Sequence, residues 1–395
     1  MVIHKRRLSW SLYFNYFIHG FALIILAQNM TSLATSWQTT IAVVSYVMSG
    51  VGIGRLIAYP LTGWLSDRFS RKNFVYLGLA CYFGFAIGMV STTNLVIAYG
   101  LALLAGIGNS ALDAGTYTTL VEINDGHGAG TVILKAFISV GEFILPLLVT
   151  SLAQHHLWFG WTFVVMALLI LGSMVNLLFV RFPQPFSGTA TQPTTQITMG
   201  HGRRWLATGC LALYGFTAMA VMIWFTQWIT LFAERQLHFS TDLSHWLLSL
   251  YSIGSIIGVL ALYGYLKRER SEKWLLIGFN LGTLVALLLV VFGTVPLVVE
   301  IGSWLFGVCA ASGVMQLGLT WFMNLYPHRR GLVTGTFYFF GSLASLLVPL
   351  LSGWLSKTSL QLAFSANLLI ALLGICLAVG ATGAIKLRKD ENHAK

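Results

Sequence analysis

Five ionisable side chains stand inside stretches of the chain that are otherwise apolar: Arg55, Asp113, Lys135, Glu142 and Glu300. A charge at the centre of a membrane helix costs at least about 2.5–3.5 kcal/mol on insertion scales, so each of them needs a partner or a task. Asn109, Asp113 and Tyr117 are spaced i, i+4, i+8 and share one helix face. Burial without water favours the protonated form of a carboxyl, and a nearby cation favours the ionised form. A carboxylate held between those pulls can load and release a proton. Asp113 is therefore the first candidate for proton coupling, with a permanent ion pair to Arg55 or Lys135 as the structural alternative. Glu142 is the second: Lys135, Ser139 and Glu142 share a face at i, i+4, i+7, so Glu142 either carries a proton or neutralises Lys135. Arg55 lies eight residues before Gly63, about 12 Å along a helix. Its guanidinium can grip a carboxylate or phosphate bidentately, or pair with Asp113. Glu300, four residues past Pro296, is expected at a rim.

Uncharged polar residues extend the list. Asn15 and His19 share a face of the first apolar run. Trp224, Gln227 and Trp228 cluster near 225, Tyr338 and Ser342 near 340, and Ser312, Gln316 and Thr320 are spaced as a helical stripe. Aromatics with amides suit stacking and hydrogen bonding of a polar organic solute. The candidates for substrate contact are thus Asn15, His19, Arg55, Asn109, Tyr117, Trp224, Gln227, Gln316 and Tyr338; Trp228 better fits an interfacial aromatic belt. No GxxxxGK[ST] occurs, which excludes nucleotide hydrolysis by that route. The four cysteines are isolated in apolar runs, and His155-His156 lacks neighbouring acid or thiol ligands. Neither an enzyme, nor a metal, nor a bound cofactor is expected.

The elements that must position these residues are membrane spans. Of 395 residues 56% are hydrophobic and 9% charged, against about 25% charged in a soluble domain. Twelve apolar runs of spanning length fall between residues 8 and 386. The first continues to about Met30 without a cleavage site and is read as a retained span. The Pro-, Thr-, Gly- and Gln-rich segment 181–204 reads as a linker between an N-terminal six-helix bundle (1–180) and a C-terminal one (205–395). With the N-terminus in the cytoplasm, nineteen of the 23 Lys and Arg fall in inside segments and only Arg235 and Lys357 in outside loops. That asymmetry places both termini in the cytoplasm. It also accounts for the net charge of +11 without a nucleic-acid partner.

The loop after the second span reads Gly63-Trp64-Leu65-Ser66-Asp67-Arg68-Phe69-Ser70-Arg71-Lys72, with Gly54 nine positions before Gly63. It resembles the signature of the major facilitator superfamily at that place, with Ser70 where a second Gly is usual. Gly264 to Lys273 keeps the bases of the C-terminal counterpart and lacks its Asp. The resemblance implies a major facilitator fold: an all-α integral membrane protein, twelve transmembrane helices in two six-helix bundles. It makes Gly63, Asp67, Arg68 and Arg71 a gating loop that latches the halves on the cytoplasmic side. It makes spans 1, 2, 4, 5, 7, 8, 10 and 11 the lining of a central cavity, and every charge inside a span falls on one of these. The Gly106–Tyr117 and Ala136–Leu148 segments are similar to the fucose-type sugar:proton symporter branch, where Asp113 occupies the place of the membrane carboxylate. The drug:proton antiporter branches carry further glycines in span 5, where Leu145, Val149 and Thr150 stand here.

The resulting expectation is a monomeric secondary transporter in the plasma or inner membrane. It moves a small polar organic solute, a sugar or a small organic acid, by proton symport. Its partners are that solute, protons and the bilayer. Proton-coupled efflux of amphipathic compounds is the alternative, and a non-transporting membrane receptor on the same fold a third reading.

Overall fold

The computed structural model describes residues 5–66, 70–123, 129–183, 200–266, 272–326 and 330–384. Twelve helical spans there are long and apolar enough to cross a membrane. Span 1 is α1 (Lys5–Gln28) continued by α2 (Met30–Ser36), and span 2 is α3 (Ile41–Met48) continued by α4 (Gly50–Ser66). Spans 3 to 6 are α5 (Arg71–Ser91), α6 (Leu95–Ile123), α7 (Ala129–Gln154) and α8 (Trp161–Leu178). Spans 7 to 9 are α9 (His201–Arg235), α10 (Thr241–Leu266) and α11 (Glu272–Phe292). Span 10 is α12 (Pro296–Ala310) with α13 (Val314–Leu325), span 11 is α14 (Arg330–Ser356), and span 12 is α15 (Leu360–Ser365) with α16 (Asn367–Ala384). We call the end at which α1 starts the near end and the opposite one the far end.

Two expectations change. Span 7 begins at His201, four residues inside the expected linker. The extra turn is held by tertiary contacts. Arg204 donates to the Leu325 carbonyl at 2.9 Å and stacks on Tyr326 at 4.4 Å, so a cation closes the C-terminus of α13. Span 10 is interrupted at residues 311–313, where Gly313 takes a left-handed conformation at φ 108°. The break resets the helical phase. Ser312 is consequently buried while Gln316 is exposed, and the expected stripe is not one face. Residues 184–199 of the linker lie outside the described residues, as do Asp67 and Arg68.

Close packing without side chains joins the spans in pairs. A Cβ on Gly54 or Gly106 would run into the Leu103 or Val51 carbonyl across the α4–α6 contact. Gly20 and Gly141 meet the Ile138 and Phe17 carbonyls across α1–α7, and Gly254 and Gly307 meet the Trp304 and Tyr251 carbonyls across α10–α12. Small residues of this kind let membrane helices approach backbone to backbone, where lipid supplies no hydrophobic drive. Spans 3, 6, 9 and 12 turn Leu77, Leu168, Phe292 and Leu369 outward instead.

Among the described residues, hydrogen bonds between the first six spans and the last six lie at mid-depth and in the far half. Gln28 donates to Thr230 at 2.9 Å, and its Oε1 accepts from His245 Nδ1 at 2.6 Å. Ser45 donates to the Pro349 carbonyl and accepts from Gln227 Nε2, both at 2.6 Å. Gln154 reaches Asp242 at 2.8 Å, and Ser139 reaches Ser255 at 3.0 Å. The far end is thereby closed over the middle of the molecule.

Overpacking a close contact typically costs about 1–3 kcal/mol. Gly307→Val should therefore lower the unfolding temperature in detergent, while Gly278→Ala, whose Cβ would enter open space, should not. Equal melting of the two variants would show that the α10–α12 approach is not tight.

Candidate functional site

The charged centre is built by α1, α4 and α6 and closed by α14. Asp113 is half-buried at the middle of α6. Its carboxylate accepts from the Tyr16 hydroxyl of α1, and from the Tyr59 hydroxyl of α4 at 2.6 Å. Arg55, one turn before Tyr59, is buried. Its Nη1 donates to Ser345 of α14 at 2.9 Å, and its Nη2 makes a long 3.5 Å contact to the Tyr59 hydroxyl. The guanidinium also lies 5.6 Å from the Tyr59 ring centre. Arg55 and Asp113 are thus not a direct ion pair, one of the two arrangements the sequence left open. A tyrosine hydroxyl stands between them, and the other head of Arg55 reaches across to the second half of the molecule.

A second arm leads from Tyr59 to His19. The Tyr59 hydroxyl is 3.0 Å from Asn109 Oδ1, Asn109 Nδ2 is 2.9 Å from His19 Nε2, and His19 Nδ1 is 2.6 Å from the Tyr82 hydroxyl. With this amide orientation His19 accepts at Nε2 and donates from Nδ1. The Tyr59 hydroxyl then has one hydrogen for two acceptors, Asp113 and Asn109. Turning the amide lets each group in the row Tyr82, His19, Asn109, Tyr59 donate once to the next and ends the row on Asp113. Either way His19, Asn109 and Asp113 belong to one buried polar network. Tyr117 packs edge-on to Tyr16 at 5.7 Å, and Tyr338 of α14 stacks on Tyr59 at 6.0 Å. Both tyrosine candidates therefore flank the network around the carboxylate.

Lys135 and Glu142 form a separate pair at 3.8 Å on α7. Glu142 is buried beside α1, and the Ser139–Ser255 bond to α10 lies between the two charges in sequence. Glu142 thus has Lys135 as its neighbouring cation.

Three candidates are placed elsewhere, and a fourth, Gln316, is exposed. Asn15 accepts from Ser173 of α8, on the side of α1 that meets α8. Trp224 donates its indole N–H to the Ala363 carbonyl of α15 at 2.6 Å. Gln227 belongs to the far-end tie with Ser45. Gln316 is exposed beyond the break in span 10. Trp228, expected in an interfacial belt, is fully buried, because α9 is covered at that depth by other helices. Arg71 is buried at the start of α5, and Gly63 lies in the last turns of α4.

Tyr16, Tyr59, Tyr82 and Ser345 escaped the sequence reading. The signal for Tyr59 was present, four residues after Arg55 on the same face.

A membrane protein of twelve spans whose described residues carry a charged network reaching from one half to the other has the features of a transporter class, and sequence comparison assigns it. Major Facilitator Superfamily sequence models match residues 12–243 and 211–393. The chain belongs to the Major Facilitator Superfamily. It is 35% identical over 385 residues to the inner membrane transport protein YdiM of Escherichia coli (strain K12), covering 97% of this chain and 95% of YdiM. Among solved structures it is similar to a mutant of the nucleoside transporter NupG, with TM-score 0.75 at 14% identity over 97% of this chain and 100% of that one. It is equally similar to a D-xylose-proton symporter, with TM-score 0.75 at 15% identity over 96% of each chain. These two likenesses bear on the fold.

Asn15→Ala would leave the Ser173 hydroxyl unpaired in the interior, which costs about 1–3 kcal/mol. The expected result is a lower unfolding temperature in detergent with solute affinity unchanged. Lost affinity with an unchanged melt would return Asn15 to the binding face.

Proposed function

We propose that the chain is a secondary active transporter that carries a small polar organic solute, a sugar or a small organic acid, by proton symport. The observation that supports this most is the chain of contacts from Asp113 through Tyr59 to Arg55 and Ser345. It ties the one half-buried carboxylate at mid-depth to a contact between the two halves. When Asp113 is ionised it takes hydrogen bonds from Tyr16 and Tyr59 and balances Arg55 through a single hydroxyl. When Asp113 is protonated that balance is gone and Arg55 is free to engage a solute oxygen. Loading the proton and remaking the contact with α14 are then one event, which is what coupling by rocking of two halves needs. Asp113 fits the proton-carrying role better than Glu142, whose partner Lys135 is at 3.8 Å.

The faces of Tyr59, Tyr117 and Tyr338, with Asn109 and His19 behind them, suit a hydroxyl-bearing ring, in keeping with the fucose-type resemblance. In this reading the near end is cytoplasmic, the protein sits in the inner membrane as a monomer with both termini inside, and the energy source is the proton gradient without a cofactor. The Gly63–Lys72 loop acts as the gate at that end, through Asp67, Arg68 and Arg71.

Reconstitution in liposomes with an imposed pH gradient tests the reading. A screen of sugars, organic acids and dyes should find a solute accumulated down the proton gradient. Movement of dyes in the opposite direction would replace symport by efflux, and no movement of any solute would favour a receptor. Asp113→Asn should abolish gradient-driven accumulation while solute exchange persists; unchanged accumulation would remove Asp113 from the mechanism.

Arg55→Gln then reads the solute's charge. Losing one partner of a buried charge pair costs about 2–5 kcal/mol. A neutral solute, to which Gln can still offer one hydrogen bond, should lose affinity by about tenfold or less, and a collapse well beyond that would identify an anionic one.

A further inference from the structure

At the near end α1 and α8 leave an open groove of ≈700 Å³ lined by Arg6, Arg7, Trp10, Ser11, Phe14 and Asn176. Arg6, Trp10 and Phe14 are spaced i, i+4, i+8, so one stripe of α1 runs from a guanidinium to an indole to a phenyl ring, about 12 Å along the axis. Trp10 is 56% and Phe14 37% exposed. Trp10 is nevertheless fixed in place, edge-on to Phe137 of α7 at 5.8 Å. The groove floor is fixed too: Asn176 of α8 donates to Ser11 at 2.8 Å, and Ser11 donates to the Arg7 carbonyl at 3.0 Å. The side chains of Arg6 and Arg7 are exposed and, among the described residues, make no hydrogen bond or ion pair with protein. No acid lies in α1 or α8, and Arg181 adds an exposed base just past α8.

We propose that this groove binds one anionic phospholipid, its phosphate on Arg6 and Arg7 and an acyl chain along Trp10 and Phe14. The charge complementarity is specific. Two unpaired guanidiniums present forked donors to a phosphate. They stand at the polar end of an apolar stripe whose length and direction match a lipid entering the hydrocarbon from that surface. Lysine- or arginine-rich ends that merely orient a span attract anionic lipid diffusely and need neither a groove nor fixed aromatic walls.

Native mass spectrometry of the delipidated full chain in detergent tests this with phosphatidylglycerol, chain-matched phosphatidylcholine and soluble glycerol phosphate as probes. One saturable phosphatidylglycerol adduct is expected, at least tenfold tighter than phosphatidylcholine and not displaced by glycerol phosphate. The Arg6→Gln/Arg7→Gln variant should lose it at least tenfold, and Trp10→Ala should weaken it with both bases intact. Arg203→Gln/Lys273→Gln, which removes two bases at the same end away from the groove, should keep it. Equal loss in the two double variants would reduce the effect to diffuse charge. Displacement by glycerol phosphate would make it a free-phosphate site, and equal binding of phosphatidylcholine would remove the charge recognition. Any of these three results overturns the proposal.

Discussion

Hydrocarbon cannot hydrogen-bond, so every polar atom carried into the membrane must find its partner inside the protein. That single constraint organises the interior described here. Asp113 is held by two tyrosine hydroxyls and Arg55 by a serine and a tyrosine. At the far end Gln28 is treated the same way. Gln28 uses its donor on Thr230 and its acceptor on His245, which requires that His245 carry its hydrogen on Nδ1. Because many of these partners lie in opposite halves, satisfying polar groups and closing the far end are the same act. Opening it would strand Gln28, Ser45 and Gln227 unless water enters, and water entry is what an alternating cavity provides.

The backbone contacts set the frame for that exchange. Glycines weld α1 to α7 and α4 to α6 in the first half, and α10 to α12 in the second. Such contacts resist change, since any displacement creates either overlap or a void. The joins between halves combine single hydrogen bonds worth about 0.5–1.5 kcal/mol each with one contact of the same kind, Gly52 of α4 against the Leu346 backbone of α14. Three glycine-packed pairs within the halves and one across the seam make the Gly52–Leu346 approach the contact that motion of one half against the other has to give up. The chemistry is divided unequally across that seam. Of the five charges inside spans, Arg55, Asp113, Lys135 and Glu142 are in the first half, and the second offers Arg55 and the Tyr59 ring the neutral Ser345 and Tyr338.

Periodicity and the distribution of Lys and Arg made the twelve spans legible, because a span is a local property of about twenty residues. The face shared by Asn109, Asp113 and Tyr117 was legible too, since α6 turns one side to the network. The same rule failed for Asn15 and His19. Four residues advance a helix by about 40° beyond one turn, which is harmless on a helix with one buried side. The α1 helix is surrounded, and those 40° carry Asn15 to α8 and His19 to α5 and α6. The stripe through Ser312 failed because one left-handed glycine restarted the helix. Tyr16, Tyr59 and Tyr82 were missed for a different reason. A charge inside a span is anomalous and draws attention, whereas a tyrosine is compatible with both lipid and core, so its hydroxyl becomes informative only when its neighbours are known.

The two intramembrane charge pairs differ in a way that assigns them different work. Lys135 and Glu142 stand two turns apart on one face of α7 with their charged ends 3.8 Å apart. Separating them would leave the buried Glu142 without its cation, while Lys135 keeps part of its side chain exposed, so the cost falls on the carboxylate. Asp113 and Arg55 communicate through Tyr59, whose hydroxyl has a single hydrogen and two acceptors within reach, Asp113 at 2.6 Å and Asn109 at 3.0 Å. Rotation of that hydroxyl exchanges one bond for another and leaves no charge bare. A carboxylate that gains a proton can return the bond by donating to the same oxygen. The interposed hydroxyl thus gives the site two satisfied arrangements in place of one. A switch needs an element with two arrangements that both sites can bias. Tyr59 touches the proton candidate on one side, the arginine that reaches α14 on the other, and the Tyr338 ring of the second half on its face.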